Sequence, residues 1–220
     1  GYFLSRCPGY AGEWLALTGN AVSGADALAI GWADHWLPST RLPEFWQQLA
    51  EKQWSDSAAI AQWVTQSCDP APAVSDDLDH GLVQAGRYFA SGDMISIVHA
   101  LEQAKGDAWA QATAATLRQR SPLMLHVVLR QIRGGRALSY AQNIYRERVM
   151  VHHCFHPDHL GRAPRNSEVI EGIRALVIDK DQRPLWQPER VEDVTPEMAE
   201  GFFAEVWRPG DHPLRQLLQP

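Results

Sequence analysis

Apolar positions recur every three or four residues through most of this chain, the period of amphipathic helices, and helix-start and helix-stop residues separate the runs. Tyr10 to Thr18 is an apolar-rich stretch ending at Gly19, and Ser23 stands as an N-cap with Asp26 three residues on as its capping-box partner. A short helix over 25–30 follows. Trp32 to Leu37 alternates weakly and stops at Pro38, which predicts a short strand. Pro43 in a first turn opens a helix to about Lys52, Asp56 caps another to about Gln66, and helical patterns continue over 82–89, 94–105 and 108–118. Ser121-Pro122 starts a helix that carries Leu125, Val128, Leu129 and Ile132 on one face until Gly134-Gly135. Ser139 caps a helix with Ile144, Tyr145 and Val149 inward. Ser167 caps one with Val169, Ile170, Ile173, Leu176 and Val177 along its apolar side, and Thr195-Pro196-Glu197 opens a last one burying Phe202, Phe203 and Val206. The expectation is a mainly α chain. Residues 68–79 hold Pro70, Pro72, Asp69, Asp76, Asp77 and Asp79 without a cation and read as an exposed connector. The chain then divides into an opening segment over 1–38, a helical region over 39–120 and a C-terminal helical lobe over 121–220.

Length and composition narrow the class. The 220 residues are 45% apolar, enough to bury one sizeable core, which excludes a disordered, collagen-like or disulfide-stapled miniprotein. A net charge of −6 argues against a general nucleic-acid binder, because phosphate affinity needs surplus cations. No run of eighteen apolar residues exists to span a bilayer. Three cysteines, Cys7, Cys68 and Cys154, give no disulfide framework and fit a reducing compartment, so a cytoplasmic protein is expected. Gly1-Tyr2-Phe3-Leu4 has neither an initiator methionine nor a signal-type run, which reads as a fragment or trimmed chain.

Three groupings could carry chemistry. Arg118, Arg120, Arg130, Arg133, Arg136, Arg146 and Arg148 face the single acid Glu147 over 118–148, a local cationic surplus on an acidic protein. Solvated helix faces or pairing with the acidic connector over 69–79 account for it, and attraction of an anionic nucleotide tail or an acidic partner surface is the alternative. His152, His153, Cys154, His156, Asp158 and His159 have metal-ligating side chains, but their spacing fits no metal signature, so no metal is expected. Trp14, Trp32, Trp36, Trp46, Trp54 and Trp63 fit a helical core or a subunit face.

Two segments resemble the crotonase superfamily, specifically its 3-hydroxyisobutyryl-CoA hydrolase branch. One is Gly1-Tyr2-Phe3-Leu4-Ser5-Arg6 followed by Leu17-Thr18-Gly19, Gly24-Ala25-Asp26 and Ile30-Gly31-Trp32. The more specific one runs from Glu171-Gly172-Ile173-Arg174-Ala175 through Ile178-Asp179-Lys180-Asp181 to Pro184 and Trp186, and is similar to the hydrolase signature EGxRAxxIDKDxxPxW. Ser121-Pro122-Leu123 and Thr195-Pro196-Glu197 match the same branch. The resemblance implies the C-terminal helical part of a crotonase-like α/β fold, residues 1–38 ending its core. It also implies a thioesterase acting on a small hydroxyacyl-CoA in valine breakdown, with hydratase or isomerase chemistry, or a non-catalytic helical assembly module, as alternatives. Coenzyme A would enter as part of the substrate, with no separate cofactor. The catalytic carboxylates and the oxyanion-hole amides would lie upstream of Gly1, on a missing N-terminal half acting as partner, so the isolated chain is expected to be inactive. Neither Glu13 nor Asp26 is a catalytic candidate. Gly1, Tyr2 and Phe3 would line the acyl pocket and Lys180 and Arg174 would meet the coenzyme A phosphates, local ion pairing being the other reading of that pair. Subunit contacts through the helices are also implied.

Overall fold

Side-chain caps set where most helices begin. The structure, a computed structural model, describes residues 1–90, 92–208 and 210–218. Helix α1 (Ala11–Thr18) ends on Gly19 in the left-handed region at φ 74°, and α2 (Gly24–Ala29) starts with the complete Ser23–Asp26 capping box. Helices α3 (Leu42–Glu51), α4 (Ser57–Ser67) and α5 (Asp76–Tyr88) follow. Then come α6 (Met94–Gln103), α7 (Ala108–Gln119), α8 (Pro122–Gly135), α9 (Tyr140–Phe155), α10 (Glu168–Ile173) and α11 (Pro196–Glu200). Asp93, Asp107, Ser121, Ser139, Ser167 and Thr195 each accept the backbone N–H three residues on, a cap worth about 1 kcal/mol.

The chain forms two units, Ala21–Gly81 and the pair Gly1–Asn20 with Leu82–Pro220. They cut across the three segments read from the sequence, because α1 packs along α8 and belongs with the C-terminal helices. In this larger unit Leu123, Val127, Cys154, Val194, Ala199 and Phe202 form a buried cluster, each large aliphatic stabilising by about 1.5–3 kcal/mol. Glu13 of α1 is buried and held by Arg136 at 2.6 Å and Arg133 at 3.6 Å. A Cβ on Gly12 would overlap the Leu4 carbonyl oxygen, so the glycine lets the Leu4–Arg6 turn lie on α1.

In the smaller unit α3 and α4 bury no residue fully; Phe45 packs on Trp63 at 4.8 Å and Trp54 on Trp63 at 5.4 Å, while Trp46 is exposed. The strand expected over 32–37 reduces to one bridge, Asp69 N–H to the Trp36 carbonyl at 3.0 Å. Pro38 and Pro70, lacking N–H groups, stop the ladder on both sides. The acidic connector is shorter than expected: Asp76, Asp77 and Asp79 form the first turn of α5, where a helix dipole favours acids. Asp26 is more than a cap, because it also accepts Ser75 N–H at 2.9 Å and Ser75 Oγ–H at 3.0 Å.

Two further expectations fail. Leu176 and Val177 are exposed, since α10 ends at Ile173 and 174–178 continue as a π turn that swings them off the core side. The last helix stops at Glu200; Phe202 is buried but Val206 is exposed.

Replacing Gly12 by Ala tests the α1 contact. An Ala in a helix interior ordinarily stabilises by about 1 kcal/mol. Here overpacking against Leu4 reverses the sign, and a loss of about 1–3 kcal/mol is expected in a urea titration. The Asp26 carboxyl is pulled down to about 2, chiefly by the Ser75 N–H, so its contribution is present above the ordinary 3.8 and disappears as pH falls through about 2. NMR titration of Asp26 should show that midpoint, and Asp26→Asn should flatten the stability of the smaller unit over this window; a midpoint near 4 would refute the assignment.

Candidate functional site

The signature EGxRAxxIDKDxxPxW is built around one guanidinium. Arg174 takes both oxygens of Glu171 at 2.7 and 3.0 Å, Asp179 at 2.6 Å, Asp181 at 2.7 Å and the Arg183 carbonyl at 3.0 Å. These contacts fold 174–185 into a tight turn that Leu185 N–H closes on Glu171 at 2.6 Å and Gln182 N–H closes on the Ala175 carbonyl at 3.2 Å. Arg174 holds the Glu171 and Asp181 carboxyls below their ordinary range, and the carboxylates hold its own proton more tightly. Gly172 gives room to Trp186, whose ring lies 3.3 Å from where a Cβ would stand, and Trp186 Nε1–H reaches the Gln119 carbonyl at 3.2 Å. Ala175 is fully buried. Lys180 is exposed, in the left-handed region at φ 57°, where L residues are strained. The turn thus gives most motif positions a structural task and presents Lys180 to solvent.

Beside the turn lies an open cleft of about 820 Å³, a volume in the range of small-molecule sites. Its apolar wall comes from Leu17 of α1, Met124, Leu125 and Val128 of α8, and Leu176 and Trp186. Arg118, Arg120, Ser121 and Glu168 supply the polar edge. Arg118 is consumed by Glu102 and Glu192, bonded to both oxygens of each, and draws the Glu192 carboxyl down to about 2. Arg120 donates to the Thr18 carbonyl at 2.5 Å. Glu168 is buried and accepts from Ser121 Oγ, from Gln187 N–H at 3.1 Å and from Arg162 at 3.2 Å. Burial pushes its carboxyl above the ordinary value despite these donors.

Gly1, Tyr2 and Phe3 stand elsewhere in this unit. Gly1 lies against Glu147 of α9 and Gln131 of α8; a Cβ there would fall 2.6 Å from Glu147 Oε1 and 2.7 Å from Gln131 Nε2. Tyr2 meets Tyr140 edge-on at 5.2 Å and carries the Arg6 guanidinium over its ring at 3.7 Å, while Phe3 is exposed. None of the three lines the cleft, so the structure does not bring them together with the signature turn. Arg174, proposed from the sequence to bind phosphate, has its hydrogen-bonding capacity taken up inside the turn. Sequence reasoning missed Glu168 and the Gln131–Glu147 pair against Gly1; the helix starts at Ser121-Pro122 and Ser167 were the available signals for Glu168.

The histidine segment is held together by ring contacts. His152 lies on His156 at 4.5 Å, His153 meets His159 edge-on at 4.9 Å, and among the described residues no three His, Cys, Asp or Glu side chains converge on a metal-sized site. Burial pushes the Cys154 thiol up to about 11, which disfavours a thiolate ligand.

A helical unit built on a shared signature turn beside a cleft defines the class, and the chain belongs to the enoyl-CoA hydratase/isomerase family, whose model matches residues 1–203. It is 35% identical to 3-hydroxyisobutyryl-CoA hydrolase 1 of Arabidopsis thaliana over 96% of this chain and 55% of that protein. It is 32% identical to the small ribosomal subunit protein mS47 of the same plant, over 92% of this chain and 49% of that protein. Among solved structures a carnitinyl-CoA dehydratase from Mycobacterium thermoresistibile superposes with a TM-score of 0.72 at 30% identity, covering 93% of this chain and 54% of that one. The chain spans about half the length of the curated relatives it matches.

Glu168→Ala should cost about 3 kcal/mol by stranding the Ser121 hydroxyl at the start of α8 and leaving Arg162 without its carboxylate, its Gln187 carbonyl bond remaining, and Glu168→Gln should cost about 1 kcal/mol because an amide still accepts. Thermal unfolding checks both; equal effects would show that the charge, not the hydrogen bonding, matters there.

Proposed function

We propose that these helices form part of a CoA-thioester hydrolase acting on 3-hydroxyisobutyryl-CoA or a similar small hydroxyacyl-CoA, as in valine breakdown. The observation that carries this reading is the signature turn: Arg174 spends its charge on Glu171, Asp179 and Asp181 and leaves Lys180 exposed, on a turn whose Leu176, Gln182, Pro184 and Trp186 line an apolar cleft. Lys180 would then meet a phosphate of coenzyme A, and the cleft wall would face apolar parts of the substrate or of the rest of the enzyme. Thioester hydrolysis needs an oxyanion stabilised by fixed N–H donors and a carboxylate that activates water. The residues of this chain that line the cleft supply no such pair, since Glu168 is bound to Ser121, Arg162 and the Gln187 amide. That chemistry is assigned to polypeptide beyond this chain. A second reading, a non-catalytic assembly module, has the ribosomal relative in its favour.

The gene product carrying this chain should release free coenzyme A thiol from 3-hydroxyisobutyryl-CoA, while the 220-residue chain alone should not. Lys180→Met should raise KM about fivefold with kcat unchanged, the loss of one exposed charge contact of about 1 kcal/mol. Hydration of an enoyl-CoA without thiol release would favour the hydratase alternative, and no turnover with either substrate would favour the assembly module.

A further inference from the structure

Most of the arginine surplus over 118–148 is neutralised within the larger unit. Arg118 pairs with Glu102 and Glu192, Arg130 with Glu200 at 2.8 Å, Arg133 and Arg136 with Glu13, and Arg120 is held by a carbonyl. Arg146 differs. Its half-buried guanidinium has no carboxylate within ion-pair distance and donates no hydrogen bond to a protein acceptor among the described residues. It is nonetheless fixed, lying 4.3 Å over the Phe203 ring on one side and close on Gly134 on the other, where a Cβ would fall 2.5 Å from Nη1. Burial, and after it the nearby Arg130, pull its pKa down, while Arg130 itself is paired with Glu200. Removing a guanidinium from water beside a like charge is costly unless an anion joins it.

Arg146 opens onto a hollow of about 530 Å³ between α6, α8, α9 and α11. His126, Leu129, Arg130 and Arg133 line it at helical spacing, a different face of α8 from the Ser121, Met124, Leu125 and Val128 face of the cleft. Met94, Leu129, Val194 and Pro196 form an apolar floor. The acid in its wall, Asp93, caps α6 through Ser96 N–H at 2.7 Å and faces His126 and Arg133 rather than Arg146. His126 Nε2–H is spent on the Val191 carbonyl at 3.0 Å, and Arg133 donates to the Gly92 and Phe89 carbonyls.

We propose that this hollow binds a phosphomonoester, its oxygens held by the forked N–H groups of Arg146 with Arg130 alongside and its organic body resting on the apolar floor. The site does not depend on the thioester reading, since it shares neither residues nor face with the cleft. Inorganic phosphate and phenyl phosphate, followed by ³¹P line broadening on the 220-residue chain, provide the test. Phenyl phosphate should bind at least fivefold more tightly than inorganic phosphate because its ring buries apolar area. Arg146→Met should weaken both about tenfold, and Arg146→Lys should weaken both as well, a point charge replacing a planar fork. Gly134→Ala, which displaces the guanidinium without removing it, should do the same. Unchanged circular dichroism and melting temperature establish that each variant folds, and Arg165→Met, on an exposed residue away from the hollow, should bind as the parent does. Coenzyme A, which carries a phosphomonoester, separates the sources: Arg146-dependent binding makes the carrier's own phosphate the ligand, and Arg146-independent binding leaves a free metabolite. Equal phosphate binding by parent and Arg146→Met, or none by the parent, would overturn the proposal.

Discussion

Helix α8 is pinned at both ends by a buried carboxylate, and the larger unit is arranged around that constraint. At its C-terminal end Glu13 reaches from α1 to Arg133 and Arg136; at its N-terminal end Glu168 reaches from α10 to the capping Ser121. Ion pairs of this kind contribute little net stability, because desolvation offsets much of the Coulomb gain. They do select geometry. A carboxylate buried at one place with its donors at fixed spacing tolerates neither a sliding nor a rotation of α8, since either would strand a charge. Apolar packing of Leu123 and Val127 supplies the driving force without direction, and the two carboxylates supply the register. Both concave surfaces, the cleft at one face of α8 and the hollow at another, inherit their shape from that register.

Local chemistry was legible where it was self-contained. Ser121, Ser139, Ser167 and Thr195 cap helices as their positions predict, because a cap needs only a hydroxyl and an N–H three residues away. What the sequence could not show were partners distant along the chain. Asp26 satisfies the capping-box pattern, yet Ser75, forty-nine positions on, draws on the same carboxylate. Glu168 satisfies the first-turn preference for acids, yet it is buried against Ser121. The same limit explains the lost strand: alternation over 32–37 states a preference, but a strand needs a partner with free N–H groups, and Pro70 removes one. Leu176 and Val177 continue the 3.6-residue pattern of α10, but the pull of three carboxylates on Arg174 widens the turn and carries them outward.

The signature motif shows how a sequence can be specific without being catalytic. Glu171, Arg174, Asp179 and Asp181 form a closed set of charges in which each member satisfies another, Gly172 and Trp186 form a close approach, and Ala175 fills the space behind. Changing one member of such a set strands the rest. Lys180 stands outside the set, in a left-handed conformation that a glycine would adopt with less strain. Gln182 shares that φ of 57°, so the turn itself imposes the conformation, and the proposed anion contact is a use for the lysine that the turn does not supply.

The same reasoning separates Arg146 from the other arginines near it. Arg133 and Arg136 are explained by Glu13, and Arg118 by Glu102 and Glu192. A cation that the fold has neutralised, as Glu200 neutralises Arg130, can assist at a cavity it borders but does not by itself call for an anion. One that the fold has half buried, stacked on Phe203 and left beside Arg130 carries an electrostatic cost that solvent relieves only in part. Arg148, the nearest comparison, also stacks on an aromatic ring, Trp207, but does not line this hollow. The distinction rests on the neutralising partner and not on the number of positive charges, which is why the sequence, counting seven arginines against one acid, could locate the region but not the residue.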